Sequence, residues 1–315
     1  EYSVLANLLG EPVVALCPRA GHISELVILA MGKFGGRELS YRSDLDIVFL
    51  YEDEGGTQHR KPQRKSQEIT SNRHFFGELG QRIIKVANHL GPYGRLYEID
   101  PRLRPTGRSG PLATSLPELA RYFAEGDGQL WERMALCRAR VVLGNEIMQT
   151  TTMEIVAEAA YGQPWQQTDA DEIVQMRRRL EESAGKGNLK RGSGGIVDIE
   201  FITQMLQLRH GRELPSIRQP NTLAALISLH DEGLLSDQDF EFLITSYQLL
   251  RSIESRLRLM NSTSGNELPE GDELAKLAQT LGYAESSALL EDSEKTTLQN
   301  RGLFDRFFEE AATTA

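Results

Sequence analysis

Residues 32–51 read GKFGGRELSYRSDLDIVFLY, and this stretch decides the fold. Gly35 and Gly36 follow an apolar run. A polar turn comes next, and Ser43 leads into Asp44-Leu45-Asp46 at the head of a second apolar run. On a strand, residues two apart point to the same face. Asp44 and Asp46 are therefore expected side by side, with Leu45, Ile47 and Phe49 on the other face. Two adjacent carboxylates in a partly desolvated place repel each other. A divalent cation removes that penalty. Hard oxygen ligands suit Mg2+, which takes one or two carboxylates plus substrate phosphates. The Gly35-Gly36 turn permits close backbone approach, so its N–H groups are expected to face a phosphate. Asp pairs also occur as caps and turn residues. The glycines, Ser43 and the apolar run after the pair carry the functional reading.

Working outward, residues 25–31, ELVILAM, suit a strand buried on both faces. Downstream, residues 52–73 form a polar insert with Gly, Pro and mixed charge, expected to be a mobile surface loop. Phe75, Phe76, Leu79, Ile83, Val86 and Leu90 then recur at helical spacing and predict an amphipathic helix that covers the sheet. Residues 94–105, GRLYEIDPRLRP, bring a third carboxylate. A strand over Leu96 to Asp100 puts Leu96, Glu98 and Asp100 on one face. If it neighbours the first, Asp100 completes a site for two Mg2+ ions that clamp the attacking and leaving oxygens of an in-line displacement. Arg102 and Arg104 follow at the same spacing and are expected on phosphate oxygens. The competing reading of these arginines is an ion pair with Glu98 or another nearby acid.

From Ser115 onward the pattern is helical. WERMALCRARVV, residues 131–142, reads as one helix stopping at Gly144. Later helices are expected at about 170–183, 196–210, 221–232 and 236–260. In the last, Phe240, Leu243, Ile244, Tyr247, Leu250, Ile253 and Leu257 form one apolar face, read as bundle core. The fold class is therefore α+β, a small mixed sheet with helices followed by an all-α bundle. The expected domains are 1–160 and 161–315, with 162–164 as the weakest point. In the bundle, Lys190 and Arg191 precede Gly192, Gly194 and Gly195, which open a helix. Helix N-terminal N–H groups can meet an anion there, or the glycines make a tight turn. Asp198 and Glu200 lie two apart on a helix and point away from each other, so neither is taken as catalytic.

The chain has 315 residues and a formal charge of −10. That balance argues against a general nucleic-acid binder. It leaves ATP open, because local cations can hold a triphosphate. The opening EYSVLANLLG has no signal-peptide pattern, and no run approaches the roughly 20 apolar residues of a membrane span. Cys17 and Cys137 lack zinc or redox spacing and are expected as buried free thiols. The six histidines show no ligand spacing. A cytoplasmic protein with no membrane contact is expected.

Four segments carry a resemblance: MGKFGGRELSYRSDLDIVFLY, GRLYEIDPRLRPTGRSGPL, WERMALCRARVV and NLKRGSGGIVDIEFITQ. In this order they resemble one catalytic half of the glutamine synthetase adenylyltransferase family, over about Leu26 to Met260. These bacterial enzymes add AMP to, and remove it from, a tyrosine of glutamine synthetase. The resemblance implies two tandem halves in the full enzyme, each a polymerase-β-like nucleotidyltransferase domain followed by a helical bundle. It implies ATP as substrate, Mg2+ on Asp44, Asp46 and Asp100, and glutamine synthetase as protein partner. It also implies a PII-type nitrogen-signalling protein and glutamine as regulators. Residues 97–100, 136–140 and 198–204 resemble the transferring half, whereas Met31-Gly-Lys and Trp131-Glu-Arg resemble the removing half. The helical tail favours the C-terminal, transferring half. Two other readings compete with this one: a nucleotidyltransferase acting on another protein or small molecule, and a non-enzymatic module that binds nucleotide and a partner.

Overall fold

The structure, a computed structural model, describes residues 13–17, 22–59, 70–92, 94–95, 97–185, 187–260 and 266–313. The chain divides into two compact units. The first is Glu1–Leu39 with Ser43–Gly162, and the second is Gln163–Ala315 with Ser40–Arg42. The first is α+β and the second helical, the class that the sequence pattern predicts.

In chain order the first unit holds β1 (Val13–Cys17), β2 (His22–Ile23), β3 (Leu26–Ala30), α1 (Gly32–Gly35), β4 (Leu45–Tyr51), β5 (Thr57–His59) and α2 (Asn72–Ala87). It continues with β6 (Leu90–Gly91), β7 (Gly94–Arg95), β8 (Ile99–Asp100), β9 (Ala113–Ser115), α3 (Leu116–Ala124), α4 (Leu130–Leu136), β10 (Arg140–Leu143) and α5 (Glu146–Tyr161). The main sheet has five strands, with β4 at its centre. β3 pairs with β4 antiparallel, from Leu26 opposite Tyr51 to Ala30 opposite Ile47. β8 and β9 share the other edge of β4, both parallel to it. β8 lies beside Leu45–Asp46 and β9 beside Phe49–Tyr51.

β4 is apolar because both its faces are covered. Val48 and Leu50 are buried, and so are Ile47, Phe49 and Tyr51 on the opposite side. The second group packs with Leu26, Phe75, Phe76, Leu79 and Ala113 in one core cluster. Tyr51 stacks on Phe76 with ring centroids 4.9 Å apart. Gly80 lets α2 lie close, since a Cβ there would stand 3.3 Å from the Phe49 ring. Ser71 caps α2 by accepting the His74 N–H. The expected apolar stripe runs too far. Val86 and Leu90 are 67% and 66% exposed, because the helix ends at Ala87 and Leu90 already belongs to the β6–β7 hairpin.

Three further expectations are corrected. The WERMALCRARVV helix stops at Leu136, and Arg140–Leu143 pairs antiparallel with β3 instead. The β-branched Val141 and Val142 suit a strand, and sheet pairing overrides the helical period. The third strand covers only Ile99–Asp100, with Leu96 outside the described residues. The polar insert contributes β5, paired with β1, while its centre, 60–69, lies outside the described residues. Cys137 is a buried free thiol, as expected, and the Cys17 side chain lies outside the description.

The second unit holds α6 (Gln167–Glu182), α7 (Ile196–His210), α8 (Thr222–Asp231), α9 (Asp237–Leu259), α10 (Gly271–Thr280) and α11 (Ser286–Thr313). α11 packs on α6, α7 and α9. On α9, Leu243, Tyr247, Leu250, Ile253 and Leu257 are buried, as the periodicity predicts. α7 is buried on nearly every side, the mark of a central helix.

Candidate active site

The carboxylates gather at one end of β4. Asp46 and Asp100 are direct register partners across the parallel β4–β8 pair, on strands about 4.8 Å apart. Leu45 and Ile99, their neighbours in the same register, pack against the core cluster. Alternation therefore turns Asp46 and Asp100 together to the opposite face. Asp44 lies just ahead of β4 and is exposed, while Ser43 is buried. The backbone here is pinned from three directions. The Met31 N–H donates to the Asp46 carbonyl at 2.9 Å, and the Leu45 N–H to the Glu98 carbonyl at 2.7 Å. The Asn88 side chain, at the end of α2, accepts the Ile99 N–H at 2.8 Å. The sequence reading missed Asn88, since nothing local marks a helix-capping amide as the anchor of a strand.

Arg102 engages Asp100. Its Nε lies 2.7 Å from each carboxylate oxygen, Nη2 also contacts Oδ2, and its backbone N–H donates to Oδ1 at 3.0 Å. The guanidinium holds the Asp100 carboxyl below the usual carboxylate range, and the more distant Arg108 adds to this. Asp100, Asp46 and Asp44 together push the Arg102 guanidinium up. In this structure Arg102 is therefore in an ion pair with Asp100. Among the described residues, no three His, Cys, Asp or Glu side chains stand grouped to hold a metal ion. The donor chemistry still suits Mg2+, with hard oxygens on adjacent strands.

The Gly35-Gly36 expectation is corrected. The Gly35 N–H donates to Met31 O at 2.8 Å and the Gly36 N–H to Gly32 O at 3.1 Å, so neither is turned to a phosphate. Gly35 is required by packing instead. A Cβ there would fall 1.8 Å from the Arg138 carbonyl oxygen. Arg140 ties down the same turn through Gly35 O at 3.1 Å and Phe34 O at 3.0 Å, and buried Arg138 pairs with buried Glu38. Gly35→Ala is expected to destabilise the protein by about 1–3 kcal/mol, as overpacking does, read as a lower midpoint in thermal unfolding. The glycine nearest the acids is Gly32, at φ +50°, where a Cβ would stand 2.6 Å from Asp46 Oδ2.

Arg104 is also corrected. Its guanidinium staples its own loop, donating to Pro101 O at 2.7 Å and to Gly110 O at 3.3 Å. Backbone carbonyls thus take up the donors expected on phosphate. Glu132, buried, braces the same loop. It accepts the Thr106 N–H at 3.1 Å, the Tyr122 hydroxyl at 2.8 Å and the Gln129 N–H at 2.8 Å. Thr106 sits at φ +57°, a strained position for a β-branched residue that this bond holds in place. The loop between Asp100 and β9 is therefore a fixed frame.

Residues 6–155, which include all three aspartates, match the family model described as glutamate-ammonia ligase adenylyltransferase. The chain belongs to the glutamine synthetase adenylyltransferase family. It is 36% identical over 279 residues to the bifunctional glutamine synthetase adenylyltransferase/adenylyl-removing enzyme of Nitrosomonas eutropha, covering 86% of this chain and 29% of that one. The protein of the same name from Nitrosomonas europaea is 36% identical over 84% of this chain and 28% of its own. That of Rhodopseudomonas palustris is 34% identical over 90% of this chain and 28% of its own. The chain thus spans less than a third of the length of these curated relatives. Residues 169–308 match a second model, described as GlnD PII-uridylyltransferase.

In this adenylyltransferase-family chain, Lys190 and Arg191 fall within that second match, on the turn before α7. Their backbone N–H groups both donate to Asn188 Oδ1, at 3.0 and 2.8 Å. The glycine-rich turn beside them is structural. The Gly192 N–H donates to Asn188 O, the Gly194 N–H to Asp198 Oδ2 and the Gly195 N–H to Gly192 O. The anion-binding expectation for these N–H groups is therefore corrected. Asp198, fully buried, pairs with the equally buried Arg177 and with Arg301.

Proposed function

We propose that this chain transfers AMP from ATP to a tyrosine hydroxyl of glutamine synthetase, as a regulator of nitrogen metabolism in the cytoplasm. The observation that carries the reading is the registered pairing of Asp46 with Asp100, beside Asp44, in a family of that name. Asp44, Asp46 and Asp100 would hold two Mg2+ ions, which supply charge stabilisation for an in-line displacement. In the transfer, the tyrosine oxygen bonds to the α-phosphorus, the bond to the β-phosphate bridge breaks, and pyrophosphate leaves. The phenol, with an unperturbed pKa near 10, needs a base at neutral pH. Asp100, once Arg102 has left it, is proposed to help take that proton. Ser43, Gly35 and Gly36 shape the turn beside the acids. Arg104 fixes the loop that carries Arg102.

The test is incubation of the purified protein with labelled ATP, Mg2+ and unmodified glutamine synthetase. Label on the synthetase with release of pyrophosphate supports transfer. The relatives' names also include adenylyl removal. Formation of ADP from modified synthetase and inorganic phosphate, with no forward transfer, would make removal the activity. The match of 169–308 to a PII-uridylyltransferase model supports a PII-type protein as a regulatory partner, and glutamine is proposed as the effector alongside it. No helix among the described residues is long and apolar enough to cross a membrane.

Lys190 and Arg191 are proposed to orient a substrate by charge. Replacing both by Ala should lower transfer at least tenfold, about 1.4 kcal/mol, with little change in melting temperature. Transfer at the normal rate would leave the turn a purely structural element.

A further inference from the structure

A guanidinium and a metal ion compete for the same carboxylate oxygens. Arg102 contacts both oxygens of Asp100, a bidentate pairing that is among the stronger side-chain interactions. The oxygens a divalent ion would need are already donated to. The same positive charge is felt by Asp44 and Asp46, so it offsets the repulsion that otherwise favours a cation at this spot.

Resting on the metal reading above, we infer that Arg102 is a gating residue for the acidic site. Its guanidinium holds Asp100 in the structure shown, and it must leave before a divalent ion can bind there. Two observations make that movement feasible. The Arg102 side chain is 57% exposed, while that of Asp100 is only 13% exposed. Pairs open to solvent exchange readily. The surrounding loop does not depend on this contact, since Arg104 and Glu132 brace it through other atoms. Once released, a planar guanidinium matches phosphate oxygens as well as it matches a carboxylate. Arg102 therefore has two anionic partners in turn, Asp100 and then the polyphosphate of the nucleotide. Because a phosphate that draws Arg102 away frees Asp100, nucleotide and divalent ion strengthen each other's binding, and the coupling is reciprocal.

The experiment is a titration of the intact chain with Mn2+, read from the spectroscopic signal of the free ion. Arg102→Gln should bind Mn2+ at least tenfold more tightly than the wild type when no nucleotide is present. A non-hydrolysable ATP analogue should improve the wild type more than the variant and so narrow the gap. Adding Asp100→Asn to Arg102→Gln should remove the gain. Arg108→Gln is the control for charge alone, since Arg108 acts on Asp100 without an ion pair to it. A gain there equal to that of Arg102→Gln overturns the gate in favour of general electrostatics. Equal Mn2+ affinity in wild type and Arg102→Gln, both lost on Asp46→Asn, overturns the gate and keeps the metal site. No binding by any variant, with or without the analogue, removes the metal site and the gate with it.

Discussion

Asp46→Asn is expected to reduce the proposed AMP transfer at least a thousandfold, about 4 kcal/mol, while the protein stays folded. The size of the effect follows from where the carboxylate stands. Asp46 is the register partner of Asp100, so the two carboxylates are proposed to act together on the same ions. Asparagine keeps the side-chain volume and removes the charge. The contacts that hold this part of β4 are made by backbone atoms, the Asp46 carbonyl to the Met31 N–H and the Leu45 N–H to the Glu98 carbonyl, and the substitution leaves them in place. Asp44→Asn is expected to behave in the same way, since Asp44 is exposed and carries little of the packing. The check is the transfer rate measured beside a thermal melt. A variant that melts normally and keeps a tenth of the wild-type rate would remove the pair from the mechanism.

Asp198→Ala should cost about 3–5 kcal/mol of stability, the range for breaking a buried ion pair by removing one partner. Both Asp198 and Arg177 are fully buried. The carboxylate also accepts the Gly194 N–H at 2.8 Å and faces Arg301 at 3.3 Å. Its loss leaves a buried guanidinium without its closest counter-charge and an unpaired amide in the turn. Gly194 has no room to adjust, because it sits at φ +69° and a Cβ there would lie 1.7 Å from the Thr297 carbonyl oxygen. For a unit of this size the melting temperature should fall on the order of 10 °C, seen in the helical circular dichroism signal. The double change Asp198→Leu with Arg177→Met should be less harmful than the single one, since it removes both charges. A single variant that loses under about 1 kcal/mol would show that Arg177 finds a new partner.

The sheet core was legible because its signal is local. Alternation in 44–51 separates Leu45, Ile47 and Phe49 from the acids, and the structure puts Ile47 and Phe49 in the core cluster with Leu45 packed against it. The helix at 196–210 was legible to the residue, since a glycine turn opens it and apolar residues recur along its length. What stayed hidden depends on partners far away in the chain. Arg104 and Arg102 look alike in PRLRP, yet one is consumed by carbonyls of its own loop and the other pairs with Asp100. Gly32, Gly35 and Gly36 look equivalent too. Only the folded contacts show that Gly35 is demanded by a carbonyl from residue 138 and Gly32 by the Asp46 side chain. β10 was missed for the same reason. Its helical periodicity runs on from α4, and only the free edge of β3 converts it to a strand.

That edge has a consequence for how the molecule comes into being. The bond from Arg140 to the Gly35 carbonyl joins residues 105 apart, and Arg138 reaches Glu38 across 100. A chain grows from its N-terminus, and contacts of such long separation form late. β3 and β4 can meet as a hairpin soon after both have left the ribosome. The turn beside the aspartates stays unfinished until more than a hundred further residues have been made. The acidic strand is thus made well before the segment that braces it, and the turn that supports it is among the last in this unit to be locked.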